Sequence, residues 1–520
     1  MEVSINMIKF IDSKNAILLI KNNDTLAVSG FAGLAVPENL LKTLEERYLK
    51  SMSPKDLTLM FAAGQGDGEG KGLNHLAHKG LVKTVIGGHF NLAPKLANMM
   101  YNNVIEGYNF PQGVMCNIFR DIARKSQFTL SKVGLSTFVD PRKEGGKVNT
   151  ITKGDMVELV KIKNEEFLLY KHRKLDVAFI KGSYCDENGN ISLDDEATYS
   201  EAFSIAQAVK NCGGIVIVQV NKKISNHIMK CKNVKIPKIY VDYIVVVSEE
   251  NQKEQVLGLE NDILLTGNSS GNIDDEKSHR ELEEEKINAR KIIGKRAAKE
   301  LKNGHIVNIG IGVPEEVSKV AGESGIIDNI VLTVEPGPIG GIPQSGRKFG
   351  SSLRPECILD QIEQFDFYDG GGLDIAFLGL AECDEIGNIN VSKFSGRLAG
   401  CGGFINITQN AKKVVFCGTF TAKGLKVNFS DKKIIIENEG KNKKFKKQVE
   451  QITFSGEKSK RSKQQVLYIT ERAVFELKED GLHLIEVAPG IDIEKDIINL
   501  MEFKPIIDKN IKVMSLDLFI

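Results

Sequence analysis

The sequence predicts an α/β protein of two tandem, internally related domains, each an open, mainly parallel sheet with helices on both faces. Three observations predict it. Apolar, β-branched runs bounded by glycine and turn residues alternate with segments of helical periodicity, the signature of strand–helix units. A nineteen-residue stretch starting at Leu175, L-D-V-A-F-I-K-G-S-Y-C-D-E-N-G-N-I-S-L, aligns without gaps to L-D-I-A-F-L-G-L-A-E-C-D-E-I-G-N-I-N-V starting at Leu373. The copies lie too far apart in the chain for a solenoid, so they read as halves of a duplicated fold. Finally, 520 residues are long for one core and suit two of about 250 each.

Composition excludes several classes. Hydrophobic residues make up 42%, charged residues 26%, and the formal net charge is +1. Nothing here biases the surface toward nucleic acid or an anionic membrane. Lysine outnumbers arginine, which argues against bidentate readers of bases or phosphates. The first residues, M-E-V-S-I-N-M-I-K-F-I-D-S-K, break their apolar positions with charge, and no membrane-length apolar run follows. Eight scattered cysteines without a C-x-x-C pair predict free thiols, with Cys212, Cys401 and Cys417 in surroundings that suggest burial. A reducing cytoplasm is the expected location.

In chain order, Asn23–Gly33 reads as a strand running into a glycine turn. Pro37 then opens a helix whose Leu40, Leu41, Leu44 and Tyr48 share one face. Leu57–Ala63 is a second strand, followed by A-A-G-Q-G-D-G-E-G-K-G. The phosphate-loop spacing fails there, because Gln65 stands where a glycine is needed and Gly72 replaces the hydroxyl residue. These glycines are expected to let loops pass closely. His75, His78 and His89 lack a cysteine or second pair at ligand spacing and are read as structural, so no metal is expected. Gln112, between Pro111 and Gly113, should display its amide on a loop feeding a helix. Further strands are expected at Leu175–Ile180 and Ile215–Val220.

These readings place a first domain at residues 1–272, a linker and the start of a connecting helix at 273–284, and a second domain at 285–520. The polar stretch Gly267–Lys277 contains G-N-S-S-G, a serine-hydrolase pattern read as accidental because no apolar helix follows. Ser278 and Glu281 form a candidate capping box for a charged helix through Leu301. In the second half, Val36-Pro37-Glu38 is echoed by Val313-Pro314-Glu315 within N-I-G-I-G-V-P-E-E. That stretch lacks the third glycine of a dinucleotide fingerprint, yet a strand end feeding a helix start can hold a phosphate or carboxylate. S-G-R-L-A-G-C-G-G-F-I-N-I-T at Ser395–Thr408 offers bare backbone N–H groups. The basic run Lys441–Lys463 reads as a solvated hairpin or loop.

The chemistry is expected at V-L-T-V-E-P-G-P-I-G-G-I-P, Val331–Pro343. Ile330–Val334 reads as a buried strand that delivers Glu335 to its carboxyl end, where open α/β sheets bind ligands. Pro336 should keep Glu335 extended, while Gly337, Gly340 and Gly341 clear side chains from the surface ahead of it. Glu335 is thus a candidate nucleophile or base; the plain alternative is a solvated loop glutamate.

Taken together, S-G-F-A-G-L-A-V-P-E-N-L-L, A-A-G-Q-G-D, F-P-Q-G, G-I-G-V-P-E, T-V-E-P-G-P-I-G-G, G-C-G-G-F-I-N-I, I-T-E-R-A-V-F-E-L and G-L-H-L-I-E-V-A-P-G-I-D span nearly the whole chain in order. This set resembles the class I CoA-transferases, specifically the single-chain acetate or propionate branch in which the family's two subunits are fused. The resemblance implies the CoA-transferase fold in both halves, with Glu335 as catalytic glutamate and Gln112 as the amide near the thioester oxygen. Gly402 or Gly403 would be its backbone partner, and Gly310, Ile311, Gly312, Val313 and Pro314 CoA-binding positions. Pro336 departs from the smaller residue expected beside the nucleophile.

The implied activity moves coenzyme A between a short-chain acyl-CoA and a short-chain carboxylic acid, in a ping-pong sequence through a glutamyl-CoA thioester. CoA is then a substrate, and no cofactor is permanently bound, since exchange of one thioester for another is nearly balanced in free energy. The resemblance also implies a homo-oligomer, a tetramer among its forms, and neither nucleic acid nor membrane as partner. Two other readings differ in outcome. An acyl-CoA hydrolase on the same fold would release free CoA, and a non-enzymatic metabolite-binding module would bind a CoA thioester without turning it over.

Overall fold

The computed structural model describes residues 9–247, 253–267 and 287–520. The chain divides into two compact units: one of Met1–Asn268, Val334–Phe367 and Ser395–Asn406, the other of Ser269–Thr333, Tyr368–Phe394 and Ile407–Ile520. Two segments from the second half of the sequence thus belong to the first unit.

The first unit is organised by a parallel sheet. Its strands are β1 (Lys9–Phe10), β2 (Thr25–Val28), β3 (Leu57–Phe61), β4 (Val82–Gly87), β5 (Glu106–Asn109), β6 (Val177–Asp186), β8 (Ile215–Ile224) and β9 (Tyr243–Val246), with β7 (Ile191–Ser192) returning on β6 as a hairpin. The order is β1-β9-β8-β6-β2-β3-β4-β5, so direction along the sheet reverses between β6 and β2. Strands covered on both faces read as continuous apolar runs, as β3 does with all five residues buried. Helix α1 (Glu38–Ser51) starts at Pro37 and buries Leu40, Leu41, Leu44 and Tyr48, the predicted face. Leu26, Val28, Leu59, Phe61, Phe90 and Phe179 complete that core. Helix α2 (Gln112–Ala123) follows β5, and α3 (Ala202–Asn211) follows the β6–β7 hairpin.

The second unit repeats the theme with an antiparallel extension. Strands β10 (Ile306–Ile309), β11 (Val331–Thr333), β12 (Ile375–Gly379), β15 (Lys413–Cys417) and β16 (Gln465–Ile469) are parallel. β17 (Ala473–Lys478) and β18 (Gly481–Val487) turn back as hairpins, and β19 (Ile506–Val513) pairs parallel with β18. Ile292, Ile293, Val307, Leu332, Ile375, Phe377, Val415 and Leu467 form its core. Helix α4 (Ala289–Ala298) is capped by the Asn288 side chain, which accepts from Lys291 N–H at 3.0 Å. The candidate cap at Ser278 and Glu281, the G-N-S-S-G match beyond Gly267, and the whole expected linker at 273–284 lie outside the described residues.

The sequence repeat is also a structural repeat. In β6–β7, Cys185 faces Ile191, and the Asp186 carboxylate accepts from Asn190 N–H and Nδ2, each at 2.8 Å. In β13 (Glu382–Asp384) and β14 (Ile389–Asn390), Cys383 faces Ile389, and Asp384 accepts from Asn388 N–H and Nδ2, each at 2.9 Å. Gly189 and Gly387 take the left-handed conformation that each turn requires, at φ +89° and +84°.

Four local expectations change. Gln112 is the first residue of α2 and buried, not displayed on a loop, because Pro111 already enters the helix. The strand before Glu335 ends at Thr333, since Val334–Gly337 closes a turn with Gly337 N–H on Val334 C=O at 3.1 Å. All eight cysteines are free thiols, but Cys212 is only half-buried. The basic run is not all solvated: it holds the helix Gly456–Ser462, and Lys444 is half-buried with its Nζ on Leu380 C=O at 3.1 Å. No described helix is long and apolar enough to cross a membrane.

Candidate active site

Glu335 sits at position two of the Val334–Gly337 turn. Val334 N–H donates to Pro338 C=O at 3.0 Å, Leu359 N–H donates to Gly337 C=O at 3.0 Å, and Thr198 Oγ1 donates to Pro336 C=O. The peptides on either side of the acid are therefore tied down. Gly337 has φ +126°, and a Cβ there would stand 2.0 Å from Leu359 O, so only glycine fits. Upstream, within the second unit, Tyr368 OH donates to Thr333 Oγ1 at 2.9 Å and Thr333 Oγ1 donates to Val307 C=O at 3.1 Å, which fixes the strand that feeds the turn.

A frame of three short segments stands beside the acid in the first unit. Gly402 N–H donates to Gly88 C=O at 2.7 Å, Phe90 N–H to Ala399 C=O at 2.7 Å, and Gln112 N–H to Gly402 C=O at 2.9 Å. Asn109 locks this junction, its Nδ2 on Gly87 and Gly88 C=O at 2.9 and 2.7 Å and its Oδ1 receiving Cys401 N–H at 2.9 Å. Gly113 N–H donates to Asn406 Oδ1 at 3.1 Å. The result brings Glu335, Gln112, Gly402 and Gly403 together. A Cβ on Gly403 would lie 3.2 Å from Glu335 Cγ and 3.1 Å from the Phe365 ring, and one on Gly402 would lie 3.6 Å from Gln112 Oε1.

The two glycines are not equivalent. Gly402 spends its N–H on Gly88, whereas Gly403, directly before helix α7 (Phe404–Asn410), makes no such bond within the described residues. Gln112 Nε2 is buried without a hydrogen-bond partner, and so is Glu335 Oε2. Two donors and one acceptor of this kind, held in a shared frame, suit a group that arrives from outside.

Burial dominates the electrostatics. Glu335 is 7% exposed, and loss of water raises its carboxyl from the ordinary 4.5 to about 7. His89, wrapped by the loop glycines, is pushed down to about 4 and stays neutral. A Cβ on Gly64 would stand 2.2 Å from His89 O, so the glycine-rich loop serves close passage, as expected. His75 is a structural histidine, with Nε2 on Glu38 at 2.9 Å and Nδ1 on Glu45 at 2.5 Å, and its imidazolium is favoured by both acids.

Gly310–Pro314 belongs to the second unit, at the end of β10. Gly310 N–H donates to Phe377 C=O at 2.8 Å, Gly312 takes φ +94°, and Ile311 is exposed. Helix α5 (Glu315–Glu323) begins there, but Glu315 and Glu316 already occupy its first turn. Phosphate at that helix start would meet carboxylates, so Ile311 and the Gly312 backbone are the better surface for a ligand. Asn109 and Phe365 are not distinguished by any motif, Asn406 lies within G-C-G-G-F-I-N-I without a role of its own there, and His89 reads from the sequence only as structural. The Gly87-Gly88-His89 run is the visible signal for the loop that Asn109 locks, since paired glycines after a strand mark close backbone approach.

A family model described as "Coenzyme A transferase" matches residues 11–247. Caffeate CoA-transferase of Acetobacterium woodii is 43% identical over 518 residues, covering 99% of this chain and 98% of that protein. The acetate CoA-transferase YdiF of Escherichia coli strain K12 is 41% identical over 511 residues, covering 98% and 95%. The crystal structure of the acyl-CoA transferase YdiF from E. coli O157:H7, a thioester complex with CoA, matches with a TM-score of 0.93 at 39% identity, over 99% of this chain and 96% of that one. The chain therefore belongs to the CoA-transferase family, class I. It is an enzyme that transfers CoA between an acyl-CoA and a carboxylate.

Proposed function

We propose that Glu335 is the covalent nucleophile of this transfer, with Gln112 Nε2 and Gly403 N–H as the donors that hold the developing oxyanion. The observation that carries this reading is a buried carboxylate oxygen without a partner, framed with an unpartnered amide and an unused backbone N–H. The Glu335 carboxylate attacks the acyl-CoA carbonyl and expels CoA thiolate, leaving a mixed anhydride. The thiolate then attacks the glutamyl carbonyl, releasing the acid as carboxylate and leaving a glutamyl-CoA thioester. An acceptor carboxylate reverses both steps. Each donor preorganised for the oxyanion contributes on the order of 3 kcal/mol to the transition state. Gly402 supports the site by tying Gly88 to Gln112 rather than by donating to substrate.

The acids exchanged are short-chain carboxylates, and Gly310–Pro314 contributes to CoA binding through Ile311 and the Gly312 backbone. The free thiols support a cytoplasmic location, and the family resemblance supports a homo-oligomer, a tetramer among its forms, which light scattering tests. The mechanism has a direct test. Enzyme given acyl-CoA without acceptor should accumulate a CoA adduct, and borohydride reduction should inactivate it with the mass change on Glu335. Exchange persisting at the native rate in Glu335→Ala, or an adduct on another residue, would sink the assignment.

A further inference from the structure

A concentration of buried polar atoms without partners extends from Glu335 into the first unit. Besides Gln112 Nε2 and Glu335 Oε2, it comprises Ser200 Oγ, both carboxyl oxygens of Glu201, Asp360 Oδ1, Gln361 Oε1 and both amide atoms of Gln364. Ser200, Gln361 and Gln364 are fully buried and Glu201 is 1% exposed. Buried polar groups in folded proteins are mostly satisfied, and other such atoms in this chain are scattered, so nine in one neighbourhood need an explanation.

Hydrogen bonds place these residues in one locality. Thr198 Oγ1 holds Pro336, the residue after the nucleophile, and Gln361 N–H donates to Ser200 C=O at 2.9 Å. On helix α6 (Gln361–Asp369), Gln361, Gln364 and Phe365 share a buried face by their spacing. Gln361 Nε2 reaches Cys116 Sγ on α2 at 3.1 Å, and Phe365 lies against Gly113 and Gly403 beside Glu335. From the other side, Ala62 N–H faces the Glu201 carboxyl, while Ala62 C=O accepts from Gly88 N–H at 3.0 Å, next to Gln112. Glu201 stands at the start of α3, yet its side chain caps nothing.

We propose that Glu201, with Ser200, Gln361 and Gln364, forms a polar acyl subsite that takes a hydroxyl carried on the acyl chain, so that hydroxy acids are preferred to their unsubstituted counterparts. A hydroxyl both donates and accepts, and so do the groups that face it here. Burial raises the Glu201 carboxyl to about 8, which keeps it a neutral acid with a donor and an acceptor. A second carboxylate on the substrate is disfavoured: Lys235, the cation at the edge, is committed to Asp360 at 3.1 Å and lies over the Tyr199 ring. An unsubstituted chain would leave these groups unpaired, and a site built to bond a hydroxyl discriminates strongly against its absence.

The proposal rests on Glu335 as nucleophile, which the adduct measurement tests separately from acid preference. With acetyl-CoA as donor, kcat/KM is measured on the full chain for three matched pairs: propionate with lactate, butyrate with 3-hydroxybutyrate, and cinnamate with 4-hydroxycinnamate. At least one pair should favour the hydroxy acid about tenfold or more, and which pair does so distinguishes an aliphatic hydroxyl near the carboxyl from a distant phenol. Glu201→Leu should bring that ratio to within about twofold of one, whereas Glu201→Gln, which keeps a donor and an acceptor, should retain it. Gln364→Met gives a second reading by removing an amide at similar chain length, with the same collapse expected. Ratios near one in all three native pairs mean that the polar groups hold ordered water only, and overturn the subsite. A ratio preserved in folded Glu201→Leu or Gln364→Met overturns it equally.

Discussion

At the residue scale, the cost of the buried acid can be separated from its use. The Glu335 carboxyl lies at about 7 in the folded chain against an ordinary 4.5, so between these values the folded state holds more proton than the unfolded one. Stability contributed by that proton is present below about pH 4.5 and lost as pH rises through about 7. Above pH 7 the charged side chain costs on the order of 3 kcal/mol. Glu335→Gln should therefore abolish adduct formation yet raise Tm by a few degrees at pH 8, the gain shrinking toward pH 5; an unchanged Tm at pH 8 would argue that water reaches the carboxylate. The first half-reaction, which needs the carboxylate, should rise through about pH 7 and level above it. The donors separate likewise. Gln112→Ala should slow exchange by about 10² to 10³ in kcat while still allowing the adduct. Gly403→Ala pushes a methyl against Glu335 Cγ at 3.2 Å, whereas Gly402→Ala makes ordinary contacts at 3.6 Å and carries only the backbone strain of φ +51°. Steady-state rates should show the larger loss in Gly403→Ala.

At the element scale, the turn that carries the nucleophile is held by backbone groups, and its weakest point is Gly337. A methyl there would overlap Leu359 C=O at 2.0 Å in a conformation that side chains rarely adopt. Gly337→Ala should lower exchange at least about tenfold with the far-ultraviolet circular dichroism spectrum retained, because the strain falls on one turn and its contact with Leu359. Full activity in that variant would show that the loop relocates freely, contrary to its bonds with Val334, Leu359 and Thr198. The duplicated Asp186 and Asp384 hairpins are the converse case. They preserve residue type, register and hydrogen bonds in both units, yet they frame no predicted catalytic residue. Their repetition belongs to the fold, where a buried aspartate satisfies its own turn.

At the scale of the whole molecule, the two units are not two halves of the sequence. Val334–Phe367 and Ser395–Asn406 are part of the first unit, and they bring Glu335, Gly402, Gly403 and the α6 glutamines to it. We predict that chains cut within Gly267–Lys277 recover folding and exchange only when both pieces are produced together, and then co-purify. An N-terminal piece that folds alone to native-like stability would show that the two later segments are dispensable to its core.

The sequence by itself determined what depends on local pattern and duplication. The amphipathic α1, the buried β3, the repeated Asp-Asn hairpin and the placement of Glu335 after a strand all follow from spacing, turn chemistry and burial preference, which neighbouring residues dictate. The ordered motifs likewise carried the class of enzyme. Only the tertiary structure decided which of two adjacent glycines keeps a free N–H, because Gly88, a partner distant in the chain, consumes the one on Gly402. It alone brought Gln112 beside Gly402 and left the Glu201 carboxyl oxygens buried without a partner, since these outcomes depend on which distant segments meet and which polar groups the meeting leaves unsatisfied.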